Sequence, residues 1–535
     1  MSNLESKNNI KKLFENPIIS LSLIGIISLS IRIYYFPFEI PVIADGVDYF
    51  SYAVVTSQQG RIPIDWGLTN NGWSVFLSVI FSLFNSENFL QLTQLQRFTS
   101  IAISILTIIP VYFLCNRFVQ KKFAIIGASL FVLDPRIILN AQIGITEPSY
   151  ILLGTITLLL FLTNRYKIIL LSFFTLGLCS IIRYEGFLFI FPLLIIFFIR
   201  FRKDKKIIQK LLIIVGLFFI TIFPMMYSMN EAIGSDGIIS PIFSGAFDWV
   251  NNKIIQGEAD LDDPIYGEEV GENRILSFIG LGVTNTIKFL GWVLIPTFFL
   301  FIPIGIILFF KKMDYKNYTL ILFATTIIAT AFYAYARGIE ETRYLYMMLP
   351  ILCVISSLTI KKISEKIKKE NIILLLIIIG VIFGSIVFLD SKKIDHEHEI
   401  ELYNIAKDIT NIANGINHYN PESKYIHVAE IANDWPIIPL PAKEENYNQE
   451  FNVKKISPVG YLSLNEYIEN SKEKGLTHIV IKKDNNIEIF NNIFNNEEKY
   501  PFLVKKYDSL EQGFNFQIIM YEINYKKFEE VNKKD

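Results

Sequence analysis

The sequence predicts a polytopic α-helical membrane protein of about 11 transmembrane helices, followed by a soluble α/β domain at the C-terminal end. Hydrophobic residues make up 52% of the 535 residues and aromatic residues 14%, more than an ordinary soluble protein of this size contains. Long apolar runs recur up to residue 389, and the composition becomes polar beyond it. We therefore expect a transmembrane domain over residues 1–389 and a small α/β domain over residues 390–535.

Each predicted span is an apolar run that reaches or approaches the roughly 20 residues needed to cross a bilayer. The runs are Pro17–Phe36, Phe98–Cys115, Phe123–Asn140, Pro148–Leu162, Ile168–Ile182, Phe187–Ile199, Ile207–Tyr227, Thr286–Phe310, Tyr318–Ala336, Tyr344–Ile360 and Ile372–Leu389. The first run follows several lysines but has no small-residue cleavage site after it, which favours a retained anchor over a signal peptide.

Basic residues predict the orientation of these spans. Lys and Arg collect at the N-terminus and in every second connection, at 117–122, 165–167, 200–206, 311–316 and 361–369. Because basic connections stay in the cytoplasm, the N-terminus is predicted to be cytoplasmic, and the C-terminal domain extracytoplasmic at the cell membrane. The outer loops are then residues 37–97 and 228–285.

Two parts of these outer loops have distinct patterns. Trp66–Asn85 is apolar but short, with tryptophans near its start, and is typical of a helix that lies in the membrane interface. The loop Met229–Asn285 is strongly acidic. Its Asp260–Asp263 run lacks the glycine and the closing glutamate of an EF-hand, so we expect a solvated acidic lid.

The polar C-terminal region contains signals for both helices and strands. Apolar residues at helical spacing from Leu402 to Ile416 predict a helix. Ser463–Glu466 is a capping box that opens a second helix, which Gly475 would end. The predicted strands are Tyr425–Ala429, His478–Ile481, Phe502–Tyr507 and Phe516–Ile523.

The overall charge and the distribution of Cys and His exclude several classes of function. The net charge of −1 gives no electrostatic basis for binding nucleic acid. All three cysteines lie inside apolar runs, and all five histidines lie in the last third of the chain. The membrane part therefore cannot supply a histidine base or a histidine-ligated metal.

Charged residues at the ends of the predicted spans would gather on one face of the membrane. They are Asp45, Arg97, Asp134, Arg136, Glu147, Arg183, Glu185, Arg337, Glu340, Glu341 and Arg343. Arginines bind phosphate in a bidentate manner, and a carboxylate can accept a proton from an attacking hydroxyl group. For each charge alone, a helix-end residue that reaches the interface is an equally good interpretation.

The order of these motifs resembles the GT-C class of polyprenyl-phosphate-sugar-dependent glycosyltransferases, particularly protein O-mannosyltransferases and the lipid A aminoarabinose transferase. Asp45 and Tyr49 match the Asp-Glu pair and later Tyr of the first outer loop, with Gly46 in place of Glu; Asp48 is a candidate for the missing acid. The later matches are Asn71-Gly72-Trp73, Arg97, Asp134-Pro135, Thr146-Glu147-Pro148, Ile182-Arg183-Tyr184-Glu185-Gly186, and Glu341-Thr342-Arg343-Tyr344 running into Pro350. The resemblance covers most of residues 17–360 and does not extend to the C-terminal domain.

This resemblance implies a GT-C fold and a glycosyl- or hexosyltransferase whose donor is a sugar on dolichyl or undecaprenyl phosphate. Asp45 would be the catalytic base for an inverting attack by an acceptor hydroxyl on a protein or glycan, and Glu147 would orient the acceptor or help to hold a cation. The implied substrate-binding residues are Asp48, Tyr49, Arg97, Arg183, Arg337, Glu341, Arg343 and Tyr344. Arg343 is the first choice for stabilising the departing phosphate, followed by Arg337 or Arg183. The resemblance leaves the use of Mg²⁺ or Mn²⁺ open.

Two other classes of function are alternatives. A transporter or flippase of lipid-linked glycans commonly has internal repeats and binding groups near the middle of the membrane. Neither is evident in this sequence. A non-catalytic receptor would leave the outward arginines beside Glu147 and Glu341 unexplained. Consumption of a lipid-linked sugar distinguishes an enzyme from both.

Overall fold

The computed structural model describes most of the chain. It covers residues 15–247, 274–419, 426–427, 453–454 and 461–532, apart from short breaks at 44, 65, 85, 87, 246, 312, 368–369, 394, 474, 483–487, 492 and 494–495. The middle of the predicted acidic lid, residues 248–273 with Asp260–Asp263, lies outside the described residues. Of the predicted strand Tyr425–Ala429, only residues 426–427 are described.

The described residues between 15 and 391 form a helical membrane domain. Its helices are α1 (Pro17–Tyr34), α2 (Asp45–Gln59), α3 (Gly72–Leu83), α4 (Phe89–Leu106), α5 (Ile108–Cys115), α6 (Lys121–Val132), α7 (Pro135–Ile143), α8 (Glu147–Phe161), α9 (Tyr166–Ile182), α10 (Ile190–Phe201), α11 (Ile207–Ile233), α12 (Arg274–Leu294), α13 (Ile302–Phe310), α14 (Tyr315–Ala336), α15 (Leu349–Ser364) and α16 (Glu370–Ser391). Short 3₁₀ segments, Tyr184–Phe189 and Thr342–Met348, lead into α10 and α15.

Every predicted span overlaps at least one of these helices, and the predicted fold class is confirmed. Within the described residues, eight helical segments are long and apolar enough to cross a membrane, and the α6–α7 pair, bent by 48°, would be a ninth. Helices α8 and α9 are apolar but shorter, at 15 and 17 residues. The predicted span Thr286–Phe310 is divided into α12 and α13, with Pro296 in the break.

Side chains from neighbouring helices satisfy the polar backbone groups at the bend between α6 and α7. Asp134 caps α7 and accepts hydrogen bonds from the backbone N–H groups of Arg136 at 2.9 Å and Ile137 at 3.4 Å. The Val132 carbonyl accepts hydrogen bonds from Ser28 at 2.9 Å and Arg32 at 3.0 Å. Backbone groups in a bilayer need such internal partners, so the bend is a built feature of the helix pair.

The basic connections meet one another at one end of the bundle. Lys122 forms an ion pair with Glu370 at 2.5 Å, and the Tyr315 hydroxyl donates to the Leu162 carbonyl at 3.3 Å. This grouping fits the alternation of basic and other connections in the sequence. The orientation relative to the membrane stays a prediction.

Helices α2 and α3 pack together at the opposite end. The structure confirms a helix within Trp66–Asn85. Trp73 and Leu77 of α3 are fully buried, whereas Val79 and Leu83 are 59% and 78% exposed. One buried face and one exposed apolar face suit a helix at a membrane interface.

The C-terminal domain packs helices on both faces of a small sheet. Its elements are α17 (His396–Tyr419), β1 (Ile426–His427), β2 (Val453–Lys454), α18 (Leu464–Lys472), β3 (His478–Lys482), α19 (Glu488–Asn491), β4 (Leu503–Asp508), β5 (Ile518–Ile523) and α20 (Tyr525–Asn532). Strand β5 lies between β3 and β4, antiparallel to both. Ser463 caps α18 by accepting from the Glu466 N–H at 3.2 Å, as predicted.

Candidate active site

The charged residues singled out by the sequence converge at the ends of helices that are distant in the chain. Asp45 is the first residue of α2, and Glu147 is the first residue of α8. Arg183 directly follows α9, and Arg343 lies in the 3₁₀ segment before α15. Helix ends suit such groups, because they carry unpaired backbone groups and lie near the membrane boundary.

Arg343 connects two exposed carboxylates. Its Nη1 lies 2.6 Å from Oδ2 of Asp45, and its Nε forms an ion pair with Glu341. The Asp45 and Glu341 side chains are 48% and 47% exposed, whereas that of Arg343 is 21% exposed. This half of the site is therefore open to a substrate. Asp45 also benefits from its place at a helix N-terminus, where the dipole favours a negative charge.

Arg183 connects two buried carboxylates. Its Nη1 lies 2.5 Å from Oε1 of Glu147, and its Nη2 and Nε donate to the two oxygens of Glu185 at 2.9 Å and 3.3 Å. The Glu147 side chain is only 3% exposed. Burial alone would lower the pKa of Arg183, but the carboxylates of Glu185 and Glu147 outweigh it and raise that pKa. The guanidinium of Arg183 is thus held in its charged form by bidentate hydrogen bonds to Glu185 and by the ion pair with Glu147.

Tyr344 lies between the two arginines and joins the two ion-pair groups into one site. The centre of its ring is 5.8 Å from Cζ of Arg183 and 5.9 Å from Cζ of Arg343, within the range of cation–π attraction. Four carboxylates (Asp45, Glu147, Glu185 and Glu341) surround these two guanidinium groups, which gives a formal charge of −2.

Asp48 and Tyr49 lie on the same side of α2 as Asp45, at helical spacings of three and four residues. Asp48 is exposed, and desolvation by the surrounding protein, together with the Asp45 carboxylate, raises its pKa. Tyr49 is only 8% exposed, and burial raises the pKa of its hydroxyl. The fields of Arg183, Glu147 and Asp45 also act on Tyr49, which places it beside both halves of the site.

Close backbone approaches bring α2 and α3 to the site. A Cβ on Gly46 would lie 2.7 Å from the Ile143 carbonyl oxygen, and one on Gly72 would lie 2.2 Å from that of Ile181. Both positions thus require glycine. At position 46 this explains the departure from the family pattern, because no glutamate side chain fits between α2 and the end of α7.

Hydrogen bonds hold the two outer helices in place. Trp73 Nε1 donates to the Gly144 carbonyl at 2.8 Å, and Gln96 donates to the Gly46 carbonyl at 2.9 Å. Asn70, which has a left-handed backbone with φ of 59°, accepts from the Tyr184 N–H at 3.0 Å. Asparagine tolerates this conformation better than most residues, and here it ties the turn that holds Arg183 to the start of α3.

Solved structures share this architecture, although no protein-family model matches the sequence and no curated protein matches it significantly. The Archaeoglobus fulgidus oligosaccharyltransferase in complex with Zn and sulfate matches with a TM-score of 0.57 and 14% identity, over 87% of this chain and 68% of that one. ArnT from Cupriavidus metallidurans bound to undecaprenyl phosphate matches with a TM-score of 0.54 and 10% identity, over 94% and 97% of the two chains. Both neighbours are GT-C superfamily glycosyltransferases.

This chain has the GT-C fold. A third match is the archaeal oligosaccharyltransferase AglB from Archaeoglobus fulgidus in complex with an inhibitory peptide and a dolichol-phosphate, with a TM-score of 0.51, 12% identity, and coverage of 88% of this chain and 69% of that one. At such identities the likeness concerns the fold, so the function has to be argued from the site.

Within this GT-C fold, Arg97 lies apart from the ion-pair groups. It is 3% exposed, and its guanidinium donates to backbone carbonyls, at 2.8 Å to Gln142 and 2.6 Å to Pro41. These contacts are those of a structural clamp rather than of a substrate ligand. Arg337 lies over the ring of Tyr333 at 5.8 Å, and Glu340 pairs with Lys288 at 2.9 Å.

Two groups that bind Arg183 are absent from the site residues that the sequence predicts. Glu185 is predicted only as a charge at this face, but its two carboxylate oxygens accept from Nη2 and Nε of Arg183. Thr146 Oγ1 accepts from Arg183 Nη1 at 3.3 Å and lies 3.4 Å from Oε2 of Glu147. The Arg-x-Glu spacing was the available signal for Glu185, since both residues lie in one tight turn.

The described part of the site does not fit a resident divalent cation. A cation of this kind needs several oxygen ligands, and among the described residues no group of three or more acidic, histidine or cysteine side chains could hold one. The four site carboxylates are instead paired with Arg183 and Arg343.

Proposed function

We propose that this protein is a membrane glycosyltransferase that moves a sugar from a polyprenyl phosphate to an acceptor hydroxyl, with inversion at the anomeric carbon. The observation that carries the proposal is the convergence of two arginines and four carboxylates, from separate parts of the chain, at one end of a GT-C fold. Structural neighbours bound to undecaprenyl phosphate and dolichol-phosphate support a lipid-phosphate donor. By the positive-inside rule, this end is extracytoplasmic.

Asp45 is the proposed general base. Of the carboxylates that contact an arginine here, its side chain is the most exposed, at 48%, so an acceptor can reach it. Asp45 takes the proton of the acceptor hydroxyl as the acceptor oxygen bonds to the anomeric carbon. The bond from that carbon to the phosphate oxygen breaks, and its electron pair leaves with the polyprenyl phosphate.

Arg343 is the proposed ligand of the departing phosphate. A guanidinium has five N–H donors, and the contacts of Arg343 with Asp45 and Glu341 involve only Nη1 and Nε. Arg183 uses Nη1, Nη2 and Nε on its carboxylate partners, which makes it a positioning group. A phosphate on Arg343 competes with Asp45 for the guanidinium, so donor binding releases the carboxylate that then acts as base.

Glu147 is better suited to positioning than to proton transfer. Its side chain is only 3% exposed and is bound to Arg183 at 2.5 Å. Glu147 therefore holds Arg183, whose guanidinium lies 5.8 Å from the Tyr344 ring centre, and Asp45 remains the candidate for proton transfer.

The test is donor consumption by the full-length chain in liposomes. Synthetic undecaprenyl and dolichyl phosphates carrying labelled hexose or aminoarabinose are supplied together with a membrane extract as the source of acceptors, and label leaving the donor is measured. We expect Asp45→Asn to lower the rate by about 10³-fold or more, as for loss of a base, and Asp204→Asn, at the basic end, to leave it unchanged. Full activity of Asp45→Asn would remove the assignment of the base. If the unmutated protein consumes no donor, the transporter alternative is favoured.

A further inference from the structure

The segment that connects α1 to Asp45 is held on one side by α4. This segment, residues 35–43, is called the strap. Arg97 donates from Nη1 to the Pro37 carbonyl at 3.3 Å and from Nη2 to the Pro41 carbonyl at 2.6 Å, and it also bonds to the Ile40 carbonyl. One guanidinium thus bonds to three carbonyls within five residues, shortly before the proposed catalytic base.

The other side of the strap packs against the C-terminal domain. Ile40 is 3% exposed and belongs to an apolar cluster whose other buried members all come from that domain. The buried members from the domain are Leu402, Ile405, Ala406, Ile409, Val480, Tyr507, Ile518 and Met520. Two contacts lie nearby: the ring of Phe89, at the start of α4, stacks on that of Tyr403 of the domain with ring centres 6.5 Å apart, and Tyr35 of the strap donates to Asp390, near the end of α16, at 2.6 Å.

The strap connects the contact at Ile40 to α2, the helix that begins with Asp45. Val42, two residues after Ile40, is fully buried in a separate cluster with Val47 and Tyr49 of α2. Ile40 and Val42 therefore fix the strap to the C-terminal domain and to α2 respectively. Since Asp45 begins α2, a shift of the strap at Ile40 changes the distance from the Asp45 carboxylate to Arg343.

We propose that the C-terminal domain positions the catalytic base, with Ile40 as the positioning residue through which it acts and Arg97 as the clamp. This inference rests on the proposed function, because it assigns the domain a part in that reaction. Misplacement of a reacting group by about 1 Å can cost 10²-fold in rate. Loss of the Ile40 contact is therefore expected to lower kcat while the KM for the donor changes little, since Arg343 keeps its contact with Glu341.

The test compares single alanine variants of the full-length chain in the donor assay. Ile40→Ala and Ile405→Ala remove the two sides of the contact. The matched control is Ile468→Ala, a fully buried residue of the same domain that lies in the cluster on the opposite face of the sheet. We expect about a 10- to 100-fold fall in kcat for the first two, less than about 3-fold for the control, and recovery in Ile40→Val, which keeps the branched side chain.

Hydrogen exchange of the backbone amides of residues 45–49 gives a readout independent of catalysis. We expect it to be faster in Ile40→Ala and unchanged in Ile468→Ala. Equal losses of kcat in Ile40→Ala and Ile468→Ala, or a wild-type kcat in Ile40→Ala, would overturn the inference. If Ile40→Ala does not accumulate in the membrane, Ile405→Ala decides by the same criteria. If the unmutated chain consumes no donor, the proposed function fails, and hydrogen exchange alone decides whether the domain holds the strap.

Discussion

Replacement of Arg183 should lower the free energy of unfolding, because it leaves carboxylates in the buried half of the site without a counter-charge. In the wild type the Glu147 carboxylate is 3% exposed and lies 2.5 Å from Arg183 Nη1. In Arg183→Gln this carboxylate loses its counter-charge, and the Glu185 carboxylate loses its bidentate contact. Breaking a buried ion pair by removing one partner typically costs about 3–5 kcal/mol, because a charge is left buried and unpaired. We expect a loss of this size in the free energy of unfolding.

The double variant Arg183→Gln/Glu147→Gln separates the stranded charge from other effects. Replacing both partners of a buried pair by neutral groups is often close to neutral. Since Glu185 still lacks its partner, we expect the double variant to recover about half of the lost stability. Relative to Arg183→Gln alone, the double variant should therefore regain about 2 kcal/mol, and the single variant Glu147→Gln completes the cycle that gives the coupling energy.

Denaturant unfolding of the full-length chain in detergent micelles, followed by tryptophan fluorescence, measures these differences. The exposed pair Lys288 and Glu340, at 42% and 58% exposure, is the control, and its neutralisation should change stability by less than about 1 kcal/mol. A loss below about 1 kcal/mol in Arg183→Gln, or additive effects in the double variant, would refute the view that Arg183 is held by a buried charge pair.

Three further predictions concern the open half of the site, the packing of α2 and the C-terminal domain. Arg343→Lys keeps the charge but loses the fork, so the KM for a polyprenyl-phosphate donor should rise about 10-fold or more; an unchanged KM would show that the phosphate binds elsewhere. Gly46→Ala places a Cβ 2.7 Å from the Ile143 carbonyl oxygen and should lower transfer activity, whereas Gly380→Ala, in open space, should not; equal activities would mean that α2 does not depend on this contact. Burial lowers the pKa of His478 from 6.5 to about 4, so the unfolded state takes up a proton that the folded state does not. The stability that the neutral His478 contributes to the domain is therefore present above pH 6.5 and is lost as the pH falls toward 4; the protection factors of the β3 amides, which correct for the pH dependence of intrinsic exchange, should fall over this range in the wild type but not in His478→Gln, and pH-independent protection in the wild type would contradict the assignment.

The membrane spans and the gathering of charges could be predicted because both follow from local patterns. Apolar length predicts a span, and alternation of basic connections assigns each helix end to one of two sides. Assigning Asp45, Glu147 and Arg343 to the same side is what makes a shared site possible, although it does not decide which of the same-side charges meet. The capping box at Ser463 could be predicted for the same reason, because it depends on residues only three positions apart in the chain.

The pairing of charges within the site could not be predicted from the sequence. Which carboxylate contacts which arginine depends on the tilt of α8 and α9 and on the docking of α2, and these are set by backbone contacts such as that of Gly46 with Ile143. The sequence gives Arg97 the same charge and a similar place as Arg183. Only the fold shows that one binds carbonyls and the other binds carboxylates. Helix α2 itself went unpredicted, since its start looked like a polar loop.

The most direct test of the central claim is a structure of the full-length chain with undecaprenyl or dolichyl phosphate bound. We predict that the phosphate lies within hydrogen-bond distance of the Arg343 guanidinium and that the Asp45 carboxylate has separated from Nη1, which it contacts at 2.6 Å here. A phosphate bound away from Arg343, with the Asp45 ion pair intact, would contradict a reaction centre at this site.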